Sequence, residues 1–385
     1  MKKYGSLLLV LVFVMSFFSG GVANAAPAQN PGKGGGDFPV CPGPAAPGDA
    51  RCHARLFWPD ASSSPVGLSP AQMKSAYNFP TSSTAGSGKT IAIVDAYNLP
   101  TAEKDLNVFS AQFGLPACTT ANGCFKKVNQ SGGTKYPRYN AGWGLEIALD
   151  IEWAHAIAPG AKILLVEASS SSFSSLLKAE DYAAAHANYV SSSWGGSEFS
   201  GETSYDSHFI HSGVAFFVSA GDAGLPAEYP SASPNVISVG GTTLHFNSNG
   251  IVSSETGWSS GGGGCSAYET ANPAQSAFGS YAQVNCAGKR ATPDVSLDAD
   301  PNSGAAVYDS SKYNGGVGWY QVGGTSLSSP MWAGRAAVSG ALVNASYVYA
   351  NNITFHDITV GNNGAPCLTR FDMCSGRGSW TGTAP

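Results

Sequence analysis

Charge is scarce in this chain: Asp, Glu, Lys and Arg make up 12% of its 385 residues, about half of the roughly 25% usual in soluble proteins. The formal net charge is −5 and no long basic run occurs, so the electrostatic footprint of a nucleic-acid binder is missing. None of the eight cysteines stands in a CxxC pair, which makes metal ligation the weaker reading of them. The longest apolar run, Leu7 to Phe18, is short of the ~20 residues that span a bilayer. With 48 glycines and 23 prolines a coiled coil is excluded and many tight turns are expected. What remains is a chain 43% hydrophobic, enough for one large core or two ordinary ones.

The N-terminus carries Lys2-Lys3, then the apolar run, then Ala23-Asn24-Ala25, the small-x-small pattern of a secretory signal peptide. Residues 1–25 are therefore expected to be cleaved, leaving a secreted, extracellular protein with no membrane attachment. Export suits disulfides. The cysteines fall in neighbouring pairs, 41 with 52, 118 with 124, 265 with 286 and 367 with 374, and this nearest-neighbour pairing is the expected one. Residues 26–66, rich in Pro, Gly, Ala and Ser without helical or strand periodicity, read as a linker or short pro-segment. Residues 67–385 read as one domain.

Within that domain, strand-like runs at Thr90–Ala96, Lys162–Val166, Tyr189–Ser193 and Val214–Ser219 alternate with helix-like runs at Thr101–Phe113, Trp143–Ile157 and Ser174–Ala187. This alternation predicts an α/β fold with a mainly parallel sheet covered by helices on both faces. Ligands then bind beyond the carboxyl ends of the strands. Gly86-Ser87-Gly88-Lys89-Thr90 ends like a phosphate-binding loop, but position 83 is Ser and the segment precedes a strand, so it reads as a turn.

The strongest chemical signal is Gly323-Gly324-Thr325-Ser326 followed by Pro330 and a helix-like run from Met331 to Val343. A Gly-Gly turn before a Ser that opens a helix admits a close backbone approach, and the helix N-terminus favours developing negative charge. An N-cap serine would look the same locally. A nucleophilic serine needs a base. Seven histidines are present, none in a His-Gly-Thr setting, so a Ser-His-Asp arrangement would have to pair Asp95 with an atypical base such as His155. In the helix 143–157, Glu146 and Asp150 share one apolar face with Trp143, Ile147, Trp153 and Ile157, while Glu152 falls off it. Two acids at i and i+4 on such a face should share a proton, so Glu146 can act as the base with Asp150 behind it.

Taken together, these motifs resemble the sedolisins, or serine-carboxyl peptidases, of subtilisin-like fold. Glu146 and Asp150 match their Glu-x-x-x-Asp helix, Ser219-Ala220-Gly221-Asp222-Ala223-Gly224 their oxyanion stretch, and Ser326 their nucleophile, in the same order. The resemblance runs from about Leu68 to the C-terminus. It implies catalytic roles for Glu146, Asp150, Asp222 and Ser326, and a substrate cleft lined by Ser192, Trp194, Gly195 and Gly221, where an extended peptide pairs as an added strand. It also implies one structural Ca²⁺, held by Asp357 and Asp372 with the carbonyls of Ile358, Leu368 and Arg370, although the usual glycines there are replaced and Cys367 and Cys374 bracket the stretch. The long folded pro-domain usual in sedolisins has no counterpart beyond residues 26–66, so any zymogen control is expected to be abbreviated, absent or otherwise supplied.

The expectation is a secreted, monomeric, acid-active endopeptidase acting on proteins or peptides. A peptide-binding pseudo-enzyme is the competing class, and a subtilisin-type Ser-His-Asp protease the minor one.

Overall fold

The computed structural model describes Met1 and residues 36–381; the rest of the expected signal peptide, over residues 1–25, and the first part of the 26–66 segment lie outside the described residues. At its centre is a sheet whose strands run, in spatial order, Val252–Gly257, Ile237–Phe246, Ala215–Ser219, Tyr189–Ser192, Thr90–Ala96, Lys162–Ala168 and Phe125–Asn129, with Val295–Asp298 also paired to Ile237–Phe246. All neighbours are parallel except Val252–Gly257, which lies antiparallel on its partner. The strand Thr90–Ala96 is buried from Ile91 onward. That matches its continuous β-branched run, as expected for a strand covered on both faces. The Gly86–Thr90 segment is a turn feeding this strand.

The predicted helices form at Ala102–Phe113, Ala141–Ile157 and Phe173–Ala184. The second begins where the Asn140 side chain accepts a bond from Trp143 N (3.1 Å) and ends before Pro159, as a cap and a breaker dictate. The expectation of one apolar face is corrected here: every residue from Trp143 to Ile157 is buried, so the helix runs through the core. Glu152, placed off the acid face, accepts from Tyr308 N (3.0 Å) on the opposite side. The helix that carries the serine spans Thr325–Ser339, so it begins six residues before the expected run Met331 to Val343 and stops short of its end, at the Gly340 cap.

From residue 36 the Pro/Gly-rich segment belongs to the folded body. Its strands Phe38–Pro39, Arg51–Cys52 and Arg55–Leu56 are two residues long, too short to leave a periodic trace in sequence. All four neighbouring cysteine pairs are bonded.

Candidate active site

Ser326 is the second residue of its helix. The N-cap is Gly324, whose φ of 89° a side chain would strain, so the serine is not itself a cap. Pro330 has no N–H for the Ser326 carbonyl four residues earlier, and the Ser193 hydroxyl reaches that oxygen instead, at 3.4 Å. In return the Ser326 hydroxyl turns to the Ser193 carbonyl, also at 3.4 Å.

Glu146 and Asp150 come from the core helix beside this turn and are fully buried. Glu146 Oε2 accepts from Ala54 N at 2.8 Å, while Oε1 has no formed bond among the described residues. Burial and then the charge of Asp150 push the Glu146 carboxyl well up, against the Ser326 hydroxyl and the Ala54 amide, which favour the ionised form. Asp150 Oδ1 accepts from the Ser193 hydroxyl at 2.9 Å, and burial, followed by Asp95, raises it as well.

Asp222 arrives on the loop after Ala215–Ser219. Its Oδ1 accepts from Thr325 N (2.8 Å) and Thr325 Oγ1 (2.9 Å), whereas Oδ2 is buried without a partner among the described residues. Burial raises this carboxyl despite the opposing charges of His53 and Arg55. An unbonded oxygen on an acid biased toward protonation is a hydrogen-bond donor in waiting.

The cleft residues divide by function. Gly195 and Gly221 let neighbours approach closely: a Cβ built on Gly195 would lie 2.9 Å from His53 Cε1, and one on Gly221 2.9 Å from the Glu228 carboxyl carbon. Ser192 and Trp194 serve the core with their side chains, the first donating to Glu180 and the second donating from Nε1 to the Val94 carbonyl (2.9 Å). Trp194 meets the cleft through its backbone. Ser193, between them, touches the acids.

Sequence reasoning missed His53 and Glu228 and placed a third residue differently. Asp95, named above only as the acid of a Ser-His-Asp alternative, is buried with neither carboxylate oxygen bonded among the described residues, raised by burial and then by Glu146, Glu180 and Glu167. It extends the acid cluster. His53 and Glu228 occupy the space beside Gly195 and Gly221, with His53 Nε2 3.0 Å from Glu228 Oε2 and Nδ1 2.7 Å from Ser219 Oγ. Neither lies in a motif; only the fold brings them together. His155, the candidate base of a Ser-His-Asp reading, instead holds the Pro116 carbonyl at 2.9 Å and is pushed down to about 4 by burial, beside the Cys118–Cys124 bond. That alternative is therefore set aside.

At the C-terminal loop, Asp372 Oδ1 accepts from Cys374 N (2.9 Å) and Ser375 N (2.7 Å), and Oδ2 from Leu368 N (2.7 Å). Both Asp357 oxygens accept from Arg370 N, at 2.9 and 2.8 Å. The carbonyls of Ile358, Leu368 and Arg370 accept no bond among the described residues. The donors named for a cation here are all oxygens, the ligand type a hard cation takes, and the two carboxylates already gather amides of this one loop. Burial raises Asp372 to about 6, a shift that a cation would offset.

A parallel sheet with a serine at a helix N-terminus beyond its strand ends defines the subtilisin-like class of serine-type sites. Comparison with known proteins agrees: the model described as "Subtilase family" matches residues 138–353. The chain belongs to the subtilase family, in its sedolisin branch. It is 30% identical to kumamolisin of Bacillus sp. (strain MN-32) over 368 residues, covering 83% of this chain and 63% of that one. Sedolisin of Pseudomonas sp. (strain 101) is 36% identical over 186 residues, covering 40% and 30%. The chain thus spans less than two thirds of these curated relatives. Among solved structures, Pseudomonas sedolisin, a serine-carboxyl proteinase complexed with pseudo-iodotyrostatin, matches with a TM-score of 0.69 at 27% identity, over 83% of this chain and 96% of that one.

Proposed function

We propose that this chain is a secreted, acid-active serine-carboxyl endopeptidase in which Ser326 is the nucleophile, Glu146 the general base and then acid, Asp150 its support and Asp222 the oxyanion donor. Ser326 Oγ attacks a peptide carbonyl while Glu146 takes its proton and passes it to the departing amine. Asp222, kept neutral by burial, donates to the tetrahedral oxygen. Water activated by Glu146 then hydrolyses the ester.

The observation that supports this most is that Glu146 Oε2 already holds a backbone N–H at 2.8 Å, where a leaving amine would stand. An endo mode fits a cleft with strand partners on both sides of Ser326, Trp194–Gly195 on one and Val322–Gly323 on the other. Protein and peptide substrates, a monomeric state, export after cleavage of residues 1–25 and a single catalytic body, the domain expected from residue 67 together with the strands between residues 38 and 56, belong to the same proposal. One calcium ion would be held by Asp357, Ile358, Leu368, Arg370 and Asp372, steadying the C-terminal loop and taking no part in the chemistry.

Digestion of casein by the purified protein at about pH 4 tests the reading. Activity should vanish in Ser326→Ala and in Glu146→Gln while the melting curve stays close to that of the unchanged protein. Proteolysis by either variant would sink the assignment.

A further inference from the structure

Three consecutive serines end the strand Tyr189–Ser192 and lead into Trp194–Ser197, and in extended chain the first and third point to one side and the second to the other. Ser192 donates to Glu180. Ser191 and Ser193 instead meet the helix that carries the nucleophile. Ser191 Oγ lies 2.9 Å from Ser329 Oγ, and Ser193 Oγ lies 2.9 Å from Asp150 Oδ1 and 3.4 Å from the Ser326 carbonyl. All three serines are fully buried.

A hydroxyl carries one proton, so Ser193 can serve only one of its two acceptors fully. Pro330 has no N–H to give the Ser326 carbonyl, and the N-cap Gly324 makes no side-chain bond to this turn. The Ser193 hydroxyl is the side-chain donor that reaches it. Its rival, Asp150, changes strength with protonation: a hydrogen bond to a carboxylate is roughly twice as strong as one to a neutral group. Ionised Asp150 therefore claims the proton, and neutral Asp150 releases it toward Ser326. The charges around Asp150 are mostly of one sign. Glu146 lies on its own helix and Asp95 on the strand Thr90–Ala96, with Glu180 and Glu167 acting on Asp95 and Asp222 on Glu146; the cations His53 and Arg55 act on Asp222, and Lys127 on Glu167. Burial and Asp95 both favour the neutral form, and Asp150 Oδ2 has no bond among the described residues.

We propose that Ser193 is a positioning residue that couples the protonation of Asp150 to the turn holding Ser326. With Asp150 neutral, the Ser193 hydroxyl donates to the Ser326 carbonyl and fixes the first turn of the helix at the place where proline leaves it without an amide. With Asp150 ionised, the hydroxyl turns to the carboxylate and that carbonyl loses its donor. No bond is made or broken; one hydroxyl rotates. The inference rests on the peptidase reading above and adds a regulation of the same site. It makes the active form carry two protons on the alkaline side, one on Asp222 as donor to the oxyanion and one on Asp150 to free Ser193. The bond from Ser326 Oγ to the Ser193 carbonyl is made to backbone, so a side-chain substitution at 193 leaves its acceptor in place.

The test is hydrolysis of a fluorogenic peptide from about pH 2.5 to 8 by the purified protein and by Ser193→Ala, Ser193→Cys and Ser193→Thr, each with its melting curve. In the unchanged protein kcat/KM should steepen to a two-proton fall on the alkaline side. Ser193→Ala should lower kcat by about tenfold or more, as for a buried acceptor left without its bond, with KM nearly unchanged. Its alkaline fall should be a one-proton limb. Ser193→Cys, of similar size with a weak donor, should follow Ser193→Ala and carries the same reading if the alanine variant does not fold. Ser193→Thr keeps a hydroxyl and should restore both the rate and the steeper limb. A one-proton limb in the unchanged protein overturns the inference with no variant needed. So does a Ser193→Ala or Ser193→Cys protein whose kcat is unchanged, or whose kcat falls while the two-proton limb remains, since that is the mark of a merely structural serine; a threonine variant no faster than the cysteine one counts the same way. In each of these cases the peptidase reading stands, whereas an unchanged protein inert toward peptides at every pH overturns that reading itself.

Discussion

In the proposed mechanism Asp222 donates only as a neutral carboxyl, and its surroundings favour that state. Burial raises it, the Thr325 amide and hydroxyl occupy one oxygen, and the other is left without a bond. A carboxyl donates only while protonated, so activity should fall as pH rises through its titration, and Glu146, which must accept a proton, sets the acid limb. Asp222→Asn replaces the donor with an amide that never ionises. We expect a rate lower by about 10²-fold from imperfect geometry, with the alkaline limb extended to higher pH. Profiles of kcat/KM from about pH 2.5 to 8 for both forms check this, and an unchanged protein most active near pH 8 would contradict a serine-carboxyl mechanism.

Among the elements, the C-terminal loop from Cys367 to Cys374 has two fastenings. Its disulfide packs on Gly257, where a Cβ would come within 2.3 Å of Cys374 Sγ, and with Ile358 it forms a small separate cluster. The carboxylates of Asp357 and Asp372 gather amides from the same loop. A cation bound there only in the folded state would add RT ln(1 + [L]/Kd) to stability. Adding EGTA should therefore lower the melting temperature of the unchanged protein and have no further effect on Asp372→Ala, which should already melt lower. A melting curve indifferent to chelation would remove calcium and leave the disulfide and amide bonds as the loop's whole support.

Over the whole molecule the buried acids give stability a direction with pH. Burial pushes Glu180 up to about 8, against the Ser192 hydroxyl; Glu167 to about 7, against Lys127; and Asp309 to about 6. Each binds its proton more tightly folded than unfolded, where carboxyls titrate near 4 to 4.5. Their contribution is complete below that ordinary range and is lost as pH climbs through 6 to 8, at about 1.4 kcal/mol per pH unit for each group in its window. The Ser326→Ala protein, which lacks the proposed nucleophile, should melt at a higher temperature at pH 5 than at pH 8. A flat or rising melting temperature over that range would show these acids ionised in the fold.

The sequence by itself determined the sheet and brought out the motifs on which the proposed chemistry rests. Continuous apolar strands such as Thr90–Ala96 have no other way to be satisfied than between two helical layers, and Glu146, Asp150, Asp222 and Ser326 each sit in a local pattern whose spacing is set by one helix or one turn. Periodicity misjudged the acid helix, because a helix buried all round has no face to read. Only the tertiary structure decided what fills the cleft. His53 meets Ser219 and Glu228 across sequence separations of 166 and 175, and the strands that carry Arg51 to Leu56 are two residues long. Such pairing depends on where the sheet ends place their backbones, and no local pattern records it.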